Sequence, residues 1–374
     1  MLDRHFLSLL LVLWACAVPL RAQEVLPLAA APAPPAPYAA AIAESRALID
    51  ALVERERIPG LAAAVLVDGR IVWSEGFGYA DLENRVPVTP LTKMRIGSVS
   101  KPLTSVALGK LVEEGKLDLD APVQRYVPSF PEKRYPITTR QAAGHLAGIR
   151  HYRGDEFLSH VRYASVLDGL TIFADDSLLF EPGTDYAYSS YGWNLVSAVV
   201  EGAAGVPFLR YMREAVFEPM GLRHTVAGHT DSLIAYRTRF YARSGDGRIL
   251  NAPYVDNSHK WAGGGFLSTA EDLVRFGDAL LRGTALRPET VALLFASLET
   301  ADGRKTNYGL GWRTGTDAEG RRTVGHSGGS IGGTTRFVIY PDDRVVVALI
   351  CNLGSVDYDA AEERIAHFFI TTAD

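Results

Sequence analysis

The sequence predicts an α+β fold in which an antiparallel sheet, built from both termini of the folded region, is flanked by helices and backs a mainly helical lobe. Three observations predict it. Paired β-rich runs joined by tight turns stand near both ends, helix-period apolar faces fill the middle, and no linker or internal repeat divides residues 39–374.

The first element is a helix over Ala39–Arg55, with Ile42, Leu48, Ile49 and Leu52 at helical spacing and Pro59-Gly60 as its stop. A hairpin follows, Leu61–Val67 and Arg70–Gly78, joined by Asp68-Gly69, a pair suited to positive φ. Its counterpart near the other end is Thr335–Tyr340 with Arg344–Cys351 around Pro341-Asp342-Asp343, and a helix is expected over Asp357–Ile370. Between the hairpins, Leu103, Val106, Ala107 and Leu111 form an apolar helical face, with Pro102 tolerated in the first turn and Gly115 past the last. A second helix runs from Ser190 or Tyr191 to Ala204 and closes at Gly205. A third starts at Ser268-Thr269-Ala270-Glu271, where Ser268 and Glu271 have capping-box spacing, and ends at Gly283. Two interleaved lobes around one cleft are expected.

Residues 1–22 read as an export signal: Arg4 and His5 precede the apolar run Phe6–Ala17, and Leu20-Arg21-Ala22 offers a small residue for cleavage. The competing reading makes Leu13-Trp14-Ala15-Cys16 a lipoprotein site, with the chain anchored through Cys16. Residues 23–38, with their Ala-Pro repeats, read as a stiff linker. Cleavage after Ala22 leaves Cys351 as the single cysteine, which excludes an intrachain disulfide or a cysteine-based metal site. No later apolar segment approaches the length of a membrane span. With 38 Lys+Arg against 43 Asp+Glu and no basic run longer than a pair, the footprint of a nucleic-acid binder is missing.

Chemistry centres on Ser98-Val99-Ser100-Lys101 at the start of the first middle helix, where the two side chains share a face one turn apart. A serine hydroxyl needs a base at neutral pH, and a lysine supplies one when burial, neighbouring positive charge and the helix N-terminus depress its pKa. Tyr188-Ser189-Ser190, after the turn Glu181-Pro182-Gly183-Thr184, offers a phenol for proton transfer. His326-Ser327-Gly328-Gly329, ending the short strand Thr323–Gly325, offers glycines beside which a substrate backbone passes and a free N–H to face an oxyanion. Each motif alone is weak. Their joint occurrence, in that order and each at the edge of a helix or strand, points to nucleophilic catalysis. His145, His151 and His160 lack a compact ligand spacing and read as structural, and Gly263-Gly264-Gly265 reads as close backbone packing rather than a phosphate loop.

Met94–Lys101, Glu114–Asp120, Thr138-Thr139-Arg140 and His145–Tyr152 together resemble the serine β-lactamase-like hydrolases of the class C β-lactamase and penicillin-binding protein superfamily. The likeness is strongest to the animal mitochondrial serine β-lactamase-like proteins and covers nearly all of 39–370. It implies acylation of Ser98, proton handling by Lys101 and Tyr188, and an oxyanion hole from the backbone N–H groups of Ser98 and Gly329. It also implies substrate contacts from Ser190, His326, Ser327 and Gly328, with no metal or cofactor, and it makes homo-oligomers an expectation. Two positions depart from the family pattern: Ser190 stands where Tyr-x-Asn is usual, and His326 where a lysine is usual. Both weaken recognition of a β-lactam, so the expected activity is hydrolysis of peptide, amide or ester bonds, with uncharged substrates favoured. A β-lactamase or D,D-peptidase and a non-catalytic self-assembling scaffold are the alternatives. The loops Tyr152–Asp176 and Thr225–Ser258 are expected to border the cleft.

Overall fold

Gly60–Val67 is buried at every position, so this strand has to be covered on both faces. A computed structural model, which describes residues 36–373, shows how. The expected signal peptide, Cys16 and most of the expected linker lie outside the described residues; the linker's last three residues, Ala36–Tyr38, form a 3₁₀ turn. That turn enters helix α1, Ala39–Glu56.

Seven strands form one antiparallel sheet: β1 Gly60–Val67, β2 Arg70–Asp81, β3 Val86–Pro87, β4 Arg313–Thr316, β5 Arg322–Ser330, β6 Gly333–Tyr340 and β7 Val345–Cys351. Their order is β3-β2-β1-β7-β6-β5-β4, so the two terminal hairpins meet at the β1–β7 pair. Leu61 stands opposite Cys351 and Val67 opposite Val345. Strand parity then divides the core. Ala62, Ala64, Leu66, Val346, Ala348 and Ile350 face one apolar cluster, formed with helices α2 Ser100–Glu113, α3 Ser190–Ala204 and α4 Ala270–Leu281. The alternating residues Leu61, Ala63, Val65, Val345, Val347 and Leu349 face a second cluster with Ile42, Ile49 and Leu52 of α1 and Ile365 and Phe369 of the last helix, α5 Ala361–Ala373. The result is three layers, with the middle of the chain on one side of the sheet and both terminal helices on the other.

Among the boundaries that differ from the sequence expectation, three have a local reason. α5 starts four residues late because Asp359 and Ala360 have φ of 50° and 51°, which no α-helix accepts. α4 is capped by Thr269, whose side chain accepts from the Asp272 N–H, while Ser268 belongs to a short strand and shares a 2.8 Å hydrogen bond with Thr225. β5 continues through His326-Ser327-Gly328-Gly329 to Ser330 instead of ending before them. No single helix among the described residues is long and apolar enough to cross a membrane.

Candidate active site

The turn that presents Ser98 depends on a glycine. Gly97 has φ of 51°, and a Cβ there would lie 2.6 Å from the Gly329 carbonyl oxygen on β5. Gly328 is packed as tightly: its Cβ would stand 2.0 Å from the Ile96 oxygen. Only glycines at these positions let the Gly97–Val99 turn lie directly on β5. Ser98 is partly exposed there, between buried neighbours and just ahead of α2.

Lys101, one turn into the site, is fully buried. Its Nζ lies 3.0 Å from Ser98 Oγ, 3.3 Å from Ser190 Oγ and 2.9 Å from the Gly263 carbonyl oxygen, and 4.8 Å from the Tyr188 ring centre. No carboxylate pairs with it among the described residues. Burial, then the charges of Lys260 and Arg313, hold its pKa well below the usual lysine value. A neutral amine has two N–H donors and one lone pair, and the three neighbours match that inventory. The Gly263 carbonyl can only accept and Ser190 accepts a second N–H, while Ser98 Oγ accepts from the amine in its protonated form and can donate to its lone pair once it is neutral.

Tyr188 reaches the site from the segment before α3. Ser189 caps that helix, accepting from the Gly192 N–H at 3.0 Å and donating to the Arg150 carbonyl at 2.7 Å. Two histidines hold the same segment: His145 Nδ1 accepts from the Ser189 N–H and His151 Nδ1 from the Ser190 N–H, both at 3.1 Å. The His145 ring packs 4.2 Å from Tyr188 and the His151 ring meets it edge-on. Burial above all keeps both imidazoles neutral, His151 at about 4, with Arg313 near His145 and Lys260 near His151 working in the same direction. Burial pushes the Tyr188 phenol up to about 12, and interaction with the Ser98 hydroxyl works the other way.

Ser98, Tyr188, Ser190 and Gly329 line one cleft of about 290 Å³, together with His151, Tyr152, Phe157, Lys260 and residues of β5, β6 and the chain beyond β7. Gly329 is exposed, with nothing within 4 Å of where a Cβ would stand. His326, expected at the substrate, is instead buried behind Tyr188. Its Nδ1 donates to the Ser327 carbonyl at 2.6 Å, which leaves Nε2 to accept from the Tyr308 hydroxyl at 2.9 Å. The reason is register: His326 stands opposite Phe337, an inward residue of β6. Ser327 lines a separate depression with Arg313 and Arg336, and Gly328 serves close packing. Gly263 likewise packs backbone on backbone, 3.3 Å from its would-be Cβ to the Ser190 oxygen.

Sequence reasoning missed Lys260 and His151 as cleft residues. The loop over Tyr152–Asp176 was expected at the border and contributes Tyr152 and Phe157. Lys260 lies just past the second expected loop, and a single lysine among mixed neighbours carries no pattern.

Comparison with known proteins agrees with this architecture. The human mitochondrial serine beta-lactamase-like protein LACTB is 33% identical over 90% of this chain and 81% of its own length. The penicillin-binding protein of Bacillus halodurans superposes with a TM-score of 0.73 at 25% identity, over 85% of this chain and 99% of that one. The octameric penicillin-binding protein homologue of Pyrococcus abyssi shares the fold, with a TM-score of 0.75 at 24% identity over 89% of this chain and 77% of that one. The beta-lactamase family itself matches residues 46–369, and the chain belongs to that family of serine hydrolases.

Proposed function

We propose that this protein hydrolyses amide or ester bonds through an acyl-enzyme on Ser98. The observation that carries the reading is a buried lysine, without a carboxylate partner among the described residues, 3.0 Å from the Ser98 hydroxyl. Neutral Lys101 takes the Ser98 proton as Oγ attacks the substrate carbonyl carbon. The developing oxyanion is held by the backbone N–H groups of Ser98 and Gly329. A phenol with a pKa near 12 is almost wholly protonated at neutral pH, so Tyr188 acts as donor and relay rather than as the resting base. It passes a proton to the departing amine or alcohol and is restored from the Lys101 ammonium. In deacylation, water loses a proton along the same route, its oxygen attacks the acyl carbon, and Ser98 leaves with a proton returned. Ser190, sharing the Lys101 amine, acts by orienting it.

The test is labelling by a fluorophosphonate probe together with a hydrolysis screen of peptides, D-amino-acid amides, short-chain esters and a chromogenic cephalosporin. Wild type is expected to label and turn over. Ser98→Ala is expected to lose labelling and all but a trace of turnover, commonly several orders of magnitude. A folded wild-type protein that neither labels nor hydrolyses any of these would favour a non-catalytic scaffold. Export with cleavage after Ala22, or alternatively a lipid anchor on Cys16, and homo-oligomerisation are proposals of the sequence, tested by N-terminal sequencing, mass spectrometry and light scattering.

A further inference from the structure

Lys101 has a task in the proposed reaction; the second lysine of the cleft has none. Lys260 is 3% exposed and ends the turn Ser258–Lys260, immediately before the short helix Trp261–Gly264. That helix supplies the Gly263 carbonyl bound by Lys101, so both lysines belong to one wall. Lys260 Nζ lies 4.5 Å from the Phe157 ring centre and 5.4 Å from that of Tyr152. Among the described residues it has neither an ion pair nor a hydrogen-bond acceptor, although the residue lines the cleft with Ser98.

The surroundings add positive charge: among the described residues no carboxylate pairs with Lys260, and buried Asp256 lies close enough to act on Arg95 while its own oxygens accept from the Ser258 N–H and the Thr230 hydroxyl. Among the described residues no Asp or Glu lines the cleft. Arg95, whose charge reaches Lys260, donates to the Ile331 carbonyl at 2.6 Å and stacks 3.9 Å from the Phe240 ring. Glu156 is taken up by Arg150 and by the Tyr191 hydroxyl. A buried ammonium without a counter-ion weakens the fold, and burial followed by the Arg95 charge lowers the Lys260 pKa to about 7. The aromatic walls return part of the lost solvation and fix the side chain of a residue that lines the cleft. A cation so held is satisfied when an anion enters.

We propose that Lys260 binds a carboxylate of the substrate, so that the Ser98 site prefers acyl donors carrying one. The inference rests on the acyl-enzyme reading for its place in catalysis, and it reverses the sequence expectation that uncharged substrates are favoured. That expectation rested on His326, whose two ring nitrogens are taken by the Ser327 carbonyl and the Tyr308 hydroxyl, and left Lys260 out.

Two matched pairs of anilides, each differing only in carboxylate against carboxamide, test it. One pair carries the difference on the acyl side, N-acetyl-glutamyl against N-acetyl-glutaminyl anilide. The other carries it on the leaving group, 3-aminobenzoate against 3-aminobenzamide. In wild type one pair is expected to show kcat/KM at least tenfold higher for the carboxylate. Lys260→Met should reduce that ratio tenfold or more, and Lys260→Arg should retain most of it. Taking the ratio cancels any effect of Lys260 on Lys101, which acts on both members alike. Binding of N-acetyl-glutamate against N-acetyl-glutamine to Ser98→Ala and to Ser98→Ala/Lys260→Met, by calorimetry, reads Lys260 without chemistry. Turnover with a ratio unmoved by Lys260→Met overturns this proposal and leaves the acyl-enzyme reading intact. Carboxylate-selective binding lost with Lys260, in a protein that never labels at Ser98, overturns the acyl-enzyme reading and keeps the anion site. Absence of carboxylate selectivity in both measurements overturns the proposal.

Discussion

A phenol and an imidazole side by side, Tyr188 and His326, have opposite relations to the cleft. Tyr188→Phe keeps the ring against His145 and removes only the hydroxyl. The expected outcome is a fall of about 10² to 10⁴-fold in turnover with little change in urea midpoint; wild-type rates on amides and esters alike would make Tyr188 a packing residue. His326→Lys puts an ammonium into a buried place beside the Lys101 amine, where burial above all, with Arg313 acting the same way, already forces the imidazole to be neutral. A loss of roughly 2 to 4 kcal/mol in unfolding free energy is expected, with no gain on anionic substrates. A stable variant with improved turnover of carboxylates would return His326 to the substrate. The Ser98–Lys101 pair was legible because a helix turns three residues into one contact. His326 was not, since its contact with Tyr308 arises from a strand register set by β6.

Among the elements, those legible in sequence were the ones whose order is local. The α1 helix, both hairpins, α2 and α3 follow from apolar spacing and from turn residues such as Gly115 and Gly205, both with positive φ. What escaped was fixed by distant partners. Ser268 is drawn into strand pairing with Met94, and the glycines of β5 extend the strand because the Gly97 turn packs on them. Gly97→Ala tests that packing. Its left-handed φ of 51° and the 2.6 Å approach to the Gly329 oxygen act together, so a loss of roughly 2 kcal/mol or more is expected. Turnover should fall at least tenfold, about what displacement of an oxyanion donor costs. Gly115→Ala is the control: φ is 67° with nothing within 4 Å of the new Cβ, so about 1 kcal/mol and no change in kcat are expected. Equal behaviour of the two variants would detach the Gly97 turn from the site.

At the scale of the whole molecule, the cleft is held at a cost in stability, because two buried lysines share one wall and, among the described residues, neither has a carboxylate partner. For Lys260 the size and sign of that cost follow from its titration. In the unfolded chain the amine has its ordinary pKa of 10.5, whereas burial and Arg95 lower it to about 7 in the folded protein. Between those values the unfolded state carries a proton that the folded state lacks, so stability rises with pH across that window. Below pH 7 both states are protonated and the penalty is constant. A shift from 10.5 to about 7 corresponds to at most ~5 kcal/mol. Lys260→Met keeps an unbranched chain between Tyr152 and Phe157 and removes the charge. The variant is therefore expected to be more stable than wild type near pH 6, by an amount on the order of a few kcal/mol. The advantage should shrink steadily from pH 7 to pH 10. Urea unfolding of both proteins at pH 6, 7.5, 9 and 10 measures it, and the difference between them cancels groups that titrate alike in both. A variant less stable than wild type at every pH would mean that Lys260 is held by a favourable contact within the fold. The accumulated positive charge would then be no evidence of a site awaiting an anion.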